Sequence, residues 1–145
     1  MLKSVKSENP QQKEVQEQMI ALQILDHQLK QGQKQLMVSE QQATELEEVF
    51  EGLNELASSS AGSELFVPLS SGIFVKAELK DVKDVLVNVG ANVAVKKSLP
   101  EAKELLLVQI KELRELEQQL GSQVQRLASE AERVQEKVQE AQNTQ

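Results

Sequence analysis

The sequence predicts an α+β chain: a long antiparallel coiled-coil hairpin with two β-hairpins at its base. Three observations predict it. Val15, Leu22, Leu29, Leu36, Ala43 and Phe50 recur every seven residues in the first part of the chain. Leu106, Leu113, Leu120, Leu127, Val134 and Ala141 do the same in the last part. Between them, over residues 64–97, the apolar period falls from seven to two. A seven-residue repeat gathers apolar side chains into one seam along a helix. Neither seam can be left in water, and the middle segment is long enough only to turn the chain round. The simplest partner for each helix is therefore the other.

The first helix is expected over 10–57. Asn9 can cap it, Pro10 suits the first helical position, and Gln12 can complete a capping box. Its second seam row, three residues after each member of the first, is mixed: Leu25, Leu46 and Leu53 are apolar, whereas Gln18, Gly32 and Ser39 are weak. Polar and small seam residues lower stability and often set register. Residues 58–63, Ser-Ser-Ser-Ala-Gly-Ser, read as a flexible breaker. A phosphate loop would need a Gly-Lys-Ser/Thr ending that is absent here.

Residues 64–97 read as two β-hairpins. In the first, Leu65–Leu69 is followed by a turn at 70–72 and by Ile73–Leu79, with Ile73, Val75, Ala77 and Leu79 on one face. Pro68 confines its strand to an edge or an end. In the second, Val85, Val87 and Val89 alternate up to Gly90-Ala91, and Val93 and Val95 alternate back. Lys96 and Lys97 read as edge protection. Four short strands with one apolar face each are not stable alone. Ile73, Val75, Val85, Val87, Val93 and Val95 are therefore expected to be buried between subunits.

The second helix, 98–143, starts on a Ser98 to Glu101 capping box. Its second seam row is Ile110, Glu117, Val124, Ala131 and Val138, with Glu117 the one ionic intrusion. If the chain folds back on itself, facing residues sum to 156, from Phe50 with Leu106 to Val15 with Ala141. The same register sets Gly32 opposite Val124 and Ser39 opposite Glu117. Each helix would be on the order of 65 to 70 Å long, and the whole chain, 1–145, reads as one domain.

Composition narrows the chemistry. The chain has no Cys, which removes disulfides and thiolate sites. His27 is the only histidine and falls on the solvated side of its helix, so neither a metal site nor a Ser-His-Asp arrangement can be assembled. The glutamates lie mostly on outer helix faces, where a solvated charged surface is the default. An enzyme is not expected, nor any cofactor. A net charge of −7 with no Trp or Tyr disfavours nucleic acid, which selects for basic residues and stacking rings. The start of the chain does not resemble a signal peptide, and the longest apolar run, Leu105–Val108, cannot span a bilayer. A cytosolic protein without membrane contact is expected.

Two sequence blocks carry a resemblance. Val67-Pro68-Leu69-Ser70-Ser71-Gly72-Ile73-Phe74-Val75 and Val85-Leu86-Val87-Asn88-Val89-Gly90-Ala91-Asn92-Val93, followed by the helix start from Lys97-Ser98 to Ala102, resemble the archaeal prefoldin alpha subunits. The blocks cover about the middle quarter of the chain, and the helix-β-β-helix order covers all of it. The resemblance implies an ATP-independent chaperone, a hexamer of two alpha and four beta subunits whose hairpins join in a double β-barrel. It also implies that unfolded polypeptides are captured and delivered to a group II chaperonin. Two hairpins resemble the alpha class, since the beta class has one.

Client contact is expected at the far ends of the helices, through Val15, Met19, Ile20, Leu22, Leu127, Val134 and Val138. Met19 and Ile20 lie off the ideal seam, and a thioether adapts to varied apolar segments. Glycines at 32 and 121 weaken the helices by roughly 1 kcal/mol each at nearly one level. An architectural coiled-coil spacer without client binding is the alternative; it would favour unbroken apolar seams.

Overall fold

A computed structural model describes residues 10–143. Six elements follow in order: α1 (Pro10–Ser58), β1 (Glu64–Ser70), β2 (Ile73–Glu78), β3 (Asp84–Asn88), β4 (Ala94–Ser98) and α2 (Leu99–Asn143). The expected Asn9 cap lies outside the described residues. Packing divides the chain into two compact units. The coil unit comprises the chain up to Glu40 and from Glu115 onward; the hairpin unit is Gln41–Arg114.

In the coil unit the heptad positions are the covered ones. Val15, Gln18, Leu22, Leu29, Gly32 and Leu36 of α1 are half-buried, and Leu25 and Ser39 are buried. On α2, Leu120, Val124, Leu127, Ala131 and Val134 are half-buried and Val138 is buried. Most other positions are exposed, as expected of a narrow seam with no surrounding core. The facing register is fixed at one point by close approach: a Cβ added at Gly32 would lie 3.0 Å from Val124 Cγ2. Gly32 therefore lets the two helices meet there, in the layer whose residue numbers sum to 156. Two seam polar atoms in this unit, Ser39 Oγ and Gln18 Oε1, are buried without a hydrogen-bond partner.

In the hairpin unit the heptad positions are covered as well: Ala43 is fully buried, and Leu46, Phe50 and Leu53 of α1 and Leu106, Ile110 and Leu113 of α2 are half-buried. Arg114 of α2 donates from Nε (3.0 Å) and Nη2 (2.6 Å) to Glu47 Oε1 of α1. Both side chains stay partly solvated, so the pair contributes at most about 1 kcal/mol.

The segment after α1 is not a loose linker. The Ser58 and Ser59 hydroxyls each donate to the Glu55 carbonyl at 2.9 Å, occupying an acceptor that the helix end leaves free. Gly62, with φ of 90°, then turns the chain so that its N–H donates to the Leu79 carbonyl at 2.7 Å. Short polar side chains that bond back to the backbone convert an apparently flexible Ser-rich stretch into an ordered turn.

The strands form two separate two-stranded antiparallel sheets, β1-β2 and β3-β4. The first closes on Gly72 (φ 79°), with a register irregularity between Pro68 and Ser70 that takes up the proline. The second closes on a turn whose two central residues, Ala91 (φ 50°) and Asn92 (φ 60°), are both left-handed, with Val93 N–H donating to the Gly90 carbonyl at 2.9 Å. Positive φ at both centres matches the strand twist, which is why such turns serve short hairpins.

The two hairpins also share one register. Leu65 pairs with Ala77 and Val85 with Lys97; Val67 pairs with Val75 and Val87 with Val95; each partner in the second hairpin stands twenty positions after its counterpart. The bond that closes each open end repeats as well, Leu79 N–H to the Ser63 carbonyl (2.9 Å) and Leu99 N–H to the Lys83 carbonyl (3.0 Å). So do the diagonal ion pairs, Lys76 with Glu64 at 3.0 Å and Lys96 with Asp84 at 3.3 Å. α2 follows β4 without a linker: Ser98, the last strand residue, accepts the Glu101 N–H on its hydroxyl at 3.3 Å and so caps the helix.

Candidate assembly and client-contact surfaces

The hairpins present two faces, because successive side chains on a strand point to opposite sides. One face carries Leu65, Val67, Val75 and Ala77 in the first hairpin and Val85, Val87, Val95 and Lys97 in the second. Val85 and Val87 are half-buried. They line a groove of about 510 Å³ in the hairpin unit together with Val49, Leu53, Leu105 and Leu106 of the helices. Of the six residues expected at an assembly interface, these two are thus partly covered by their own chain. The other four, Ile73, Val75, Val93 and Val95, are exposed.

The opposite face holds residues that the valine alternation does not reveal. Phe66 is 67% exposed and stands directly across the ladder from Lys76; Leu86 is 74% exposed and stands across from Lys96. Phe74 and Leu69 near the first turn are also exposed. Large apolar side chains concentrated on short strands are the usual sign of a contact surface rather than of chance. The sequence signal for Phe66 and Leu86 is their shared position one residue before a valine of each first strand.

In the coil unit the seven residues expected to touch clients separate into two groups. Met19 and Ile20 are exposed on α1. Val15, Leu22, Leu127 and Val134 are half-buried seam residues, and Val138 is buried, so these five can reach a client only where the helices part. Ile24, four residues after Ile20 and also exposed, extends the surface stripe and escapes a reading confined to heptad positions. His27 is exposed, and its neighbour Asp26 pairs with Lys30 at 3.2 Å. Among the described residues there is no group of three metal-capable side chains, and no helix is long and apolar enough to cross a membrane.

A heptad seam, two hairpins with exposed apolar side chains and an exposed apolar stripe on one helix define the class of the chain: a coiled-coil protein of helix-β-β-helix order carrying two β-hairpins. Comparison with known proteins supplies the family. Residues 25–144 match the family model of the prefoldin subunit, and the chain belongs to that family. It is 32% identical to the prefoldin alpha subunit of Archaeoglobus fulgidus over 88% of this chain and 93% of that relative. It is 36% identical to prefoldin subunit alpha 1 of Thermococcus kodakarensis over 59% of this chain and 62% of that relative. Among solved structures it is similar to filamentous PFD from Methanocaldococcus jannaschii, seen by cryo-EM. The TM-score is 0.69 at 20% identity, covering 79% of this chain and 94% of that one. Membership makes this a chaperone-type subunit and not an enzyme.

Proposed function

We propose that the chain is the alpha subunit of an ATP-independent cytoplasmic chaperone. Its hairpins join those of beta-class subunits in a double β-barrel, giving a hexamer of two alpha and four beta chains. Apolar side chains of the coil unit hold unfolded polypeptides, which pass to a group II chaperonin. One observation carries this reading: a single chain exposes apolar surface of two kinds. The hairpin strands expose Ile73, Val75, Val93 and Val95, and α1 exposes Met19, Ile20 and Ile24. The first kind suits permanent assembly, where alternating apolar strands need cover. The second suits transient contact, since a flexible thioether among scattered aliphatic groups re-packs against many partners.

The experiment is a truncation. Removing residues 1–22 together with 134–145 takes away Val15, Met19, Ile20, Leu22, Val134 and Val138 and leaves both hairpins. The truncated chain should still assemble with a beta-class subunit but should protect a chemically unfolded protein from aggregation far less, without nucleotide in either case. Undiminished protection would move client contact toward the hairpin unit.

A further inference from the structure

One row of side chains runs along α1 on the side away from its seam. Ile20, Ile24, His27, Gln31, Lys34 and Val38 follow at alternating steps of four and three, which at roughly 100° per residue keeps all six within an arc of about 80°. All six are exposed, and so is Met37 beside Val38. We propose that this row is a binding strip for unfolded segments in which two apolar clusters are separated by about six residues that carry Asp or Glu. This specificity rests on the chaperone reading above and adds which segments of a client the chaperone takes.

The makeup of the row gives it this character. Ile20 and Ile24 form an apolar foothold at one end, and Val38 with Met37 forms another. A rise of ~1.5 Å per residue sets Ile24 and Val38 about 20 Å apart along the helix. An extended chain covers that span in about six residues. Between the footholds lie His27, Gln31 and Lys34, and no acid. The one acid in residues 18–39 is Asp26, which Lys30 holds at 3.2 Å. Lys34 has no acid three or four positions away on either side. The contrast with the rest of the chain is large: with two Lys against one Asp and His27 neutral, residues 18–39 carry +1, which leaves −8 elsewhere out of a total of −7.

The occupant follows from width, hydrogen bonding and charge. An arc this narrow on a convex helix face seats one polypeptide strand and offers no pocket to a folded surface. Gln23, Gln28 and Gln35 border the row and are exposed. A primary amide both donates and accepts, as an unpaired peptide group does. The border therefore matches the backbone of an unfolded chain, whose peptide groups are free, and not a folded partner whose peptide groups are already paired. Lys34 then favours a carboxylate between the two apolar clusters and disfavours a lysine there. A second copy of this chain is the poorer occupant, because its helices pair their own backbone.

The test uses the full chain assembled with a beta-class prefoldin subunit and reads binding of fluorescently labelled peptides by anisotropy at low ionic strength. Each peptide has a Leu-Val pair at both ends and a Gly-Ser spacer of about six residues carrying Asp, Asn or Lys; one further Asp peptide has its spacer cut to about two residues. The long Asp peptide should bind about threefold or more tighter than the Asn peptide and the Lys peptide more weakly than both, with the differences shrinking in high salt. Lys34→Glu should abolish the preference for Asp over Lys, and Ile24→Ser should weaken the long Asp peptide about fivefold. Both positions are exposed, and circular dichroism confirms that each variant is folded. The proposal is overturned if the Asp preference survives Lys34→Glu, if the short spacer binds as tightly as the long one, if no peptide binds, or if Ile24→Ser instead lowers the native mass, as it would were the row an interface between copies. Protection of an unfolded protein from aggregation is measured on the same assemblies. Protection without any peptide ranking overturns the specificity and leaves the chaperone reading standing, whereas no protection by the unsubstituted assembly overturns both.

Discussion

The coil unit and the hairpin unit share one heptad spacing but differ in what occupies it. In the hairpin unit the seam is mostly apolar, with Ala43, Leu46, Phe50 and Leu53 on α1 and Leu106, Ile110 and Leu113 on α2, and Lys103 its one charged member. In the coil unit the same spacing delivers Gln18, Gly32, Ser39 and Glu117 to the seam, and two of their polar atoms are buried unpaired. Spacing decides which side chains meet; identity decides how firmly they hold. The chain places its firm layers around the strands and its weak ones in the unit whose surface carries Met19, Ile20 and Ile24.

That contrast can be broken by substitution. The largest effect is expected in the hairpin unit at Leu99, 7% exposed at the junction of β4 and α2. Leu99→Ala should cost about 3 kcal/mol, read as a fall in the urea midpoint, because it opens a cavity in a well-packed layer. A loss under about 1 kcal/mol would show that this layer is no firmer than the coil. The next effect has the opposite sign. Ser39 is 3% exposed with its hydroxyl unpaired, so Ser39→Ala should stabilise the coil unit by about 1 kcal/mol by removing an unmet desolvation cost. Destabilisation would mean that the hydroxyl has a partner in solution.

The smallest effect sharpens the comparison within the coil unit. Nothing lies within 4 Å of a Cβ placed at Gly121, so Gly121→Ala should raise stability by about 0.5 to 1 kcal/mol through helix propensity. At Gly32 the same change meets Val124 Cγ2 at 3.0 Å. A β-branched side chain in a helix has little rotamer freedom to give way. Gly32→Ala should therefore stabilise less than Gly121→Ala, and thermal unfolding of the two variants side by side tests the ranking. An equal gain at both positions would show that the helices are not held at the Gly32 layer.

Much of this architecture was legible in the sequence because periodicity reports directly on which side of an element is covered. Residues 10–57 and 98–143 differ from the observed helices by a single residue at one end each, and the layer joining Gly32 to Val124 follows from heptad arithmetic alone. What periodicity cannot show is a side chain bonding back to its own backbone. Residues 58–63 thus read as loose although Ser58, Ser59 and Ser63 tie them down. Nor does it tell which apolar face of a strand pair is covered by its own chain. Val85 and Val87 look as available as Ile73 and Val75 until the groove beside Val49 and Leu53 is seen. For the exposed apolar stripe on α1, the heptad frame hid Ile24, since its relation to Ile20 is the four-residue step of a helix surface and not the step of a seam.

The direct passage from β4 into α2 has a further consequence. Residues 59–63 separate α1 from β1, and although they form an ordered turn, that turn is held by a few exposed bonds that can re-form, so a slip in the first hairpin can be absorbed before it reaches a helix. Ser98 offers no such slack, being at once a rung of the ladder opposite Asp84 and the cap of the helix. Pairing β4 one step out of register would turn its side chains to the other face and rotate α2 about its own axis by roughly 100°. Leu106 and Leu113 would swing away from α1 together. The second hairpin therefore acts as the index pin that sets the rotational phase of α2. An insertion or deletion between Val95 and Leu99 should be tolerated far less well than one between Ser59 and Ser63.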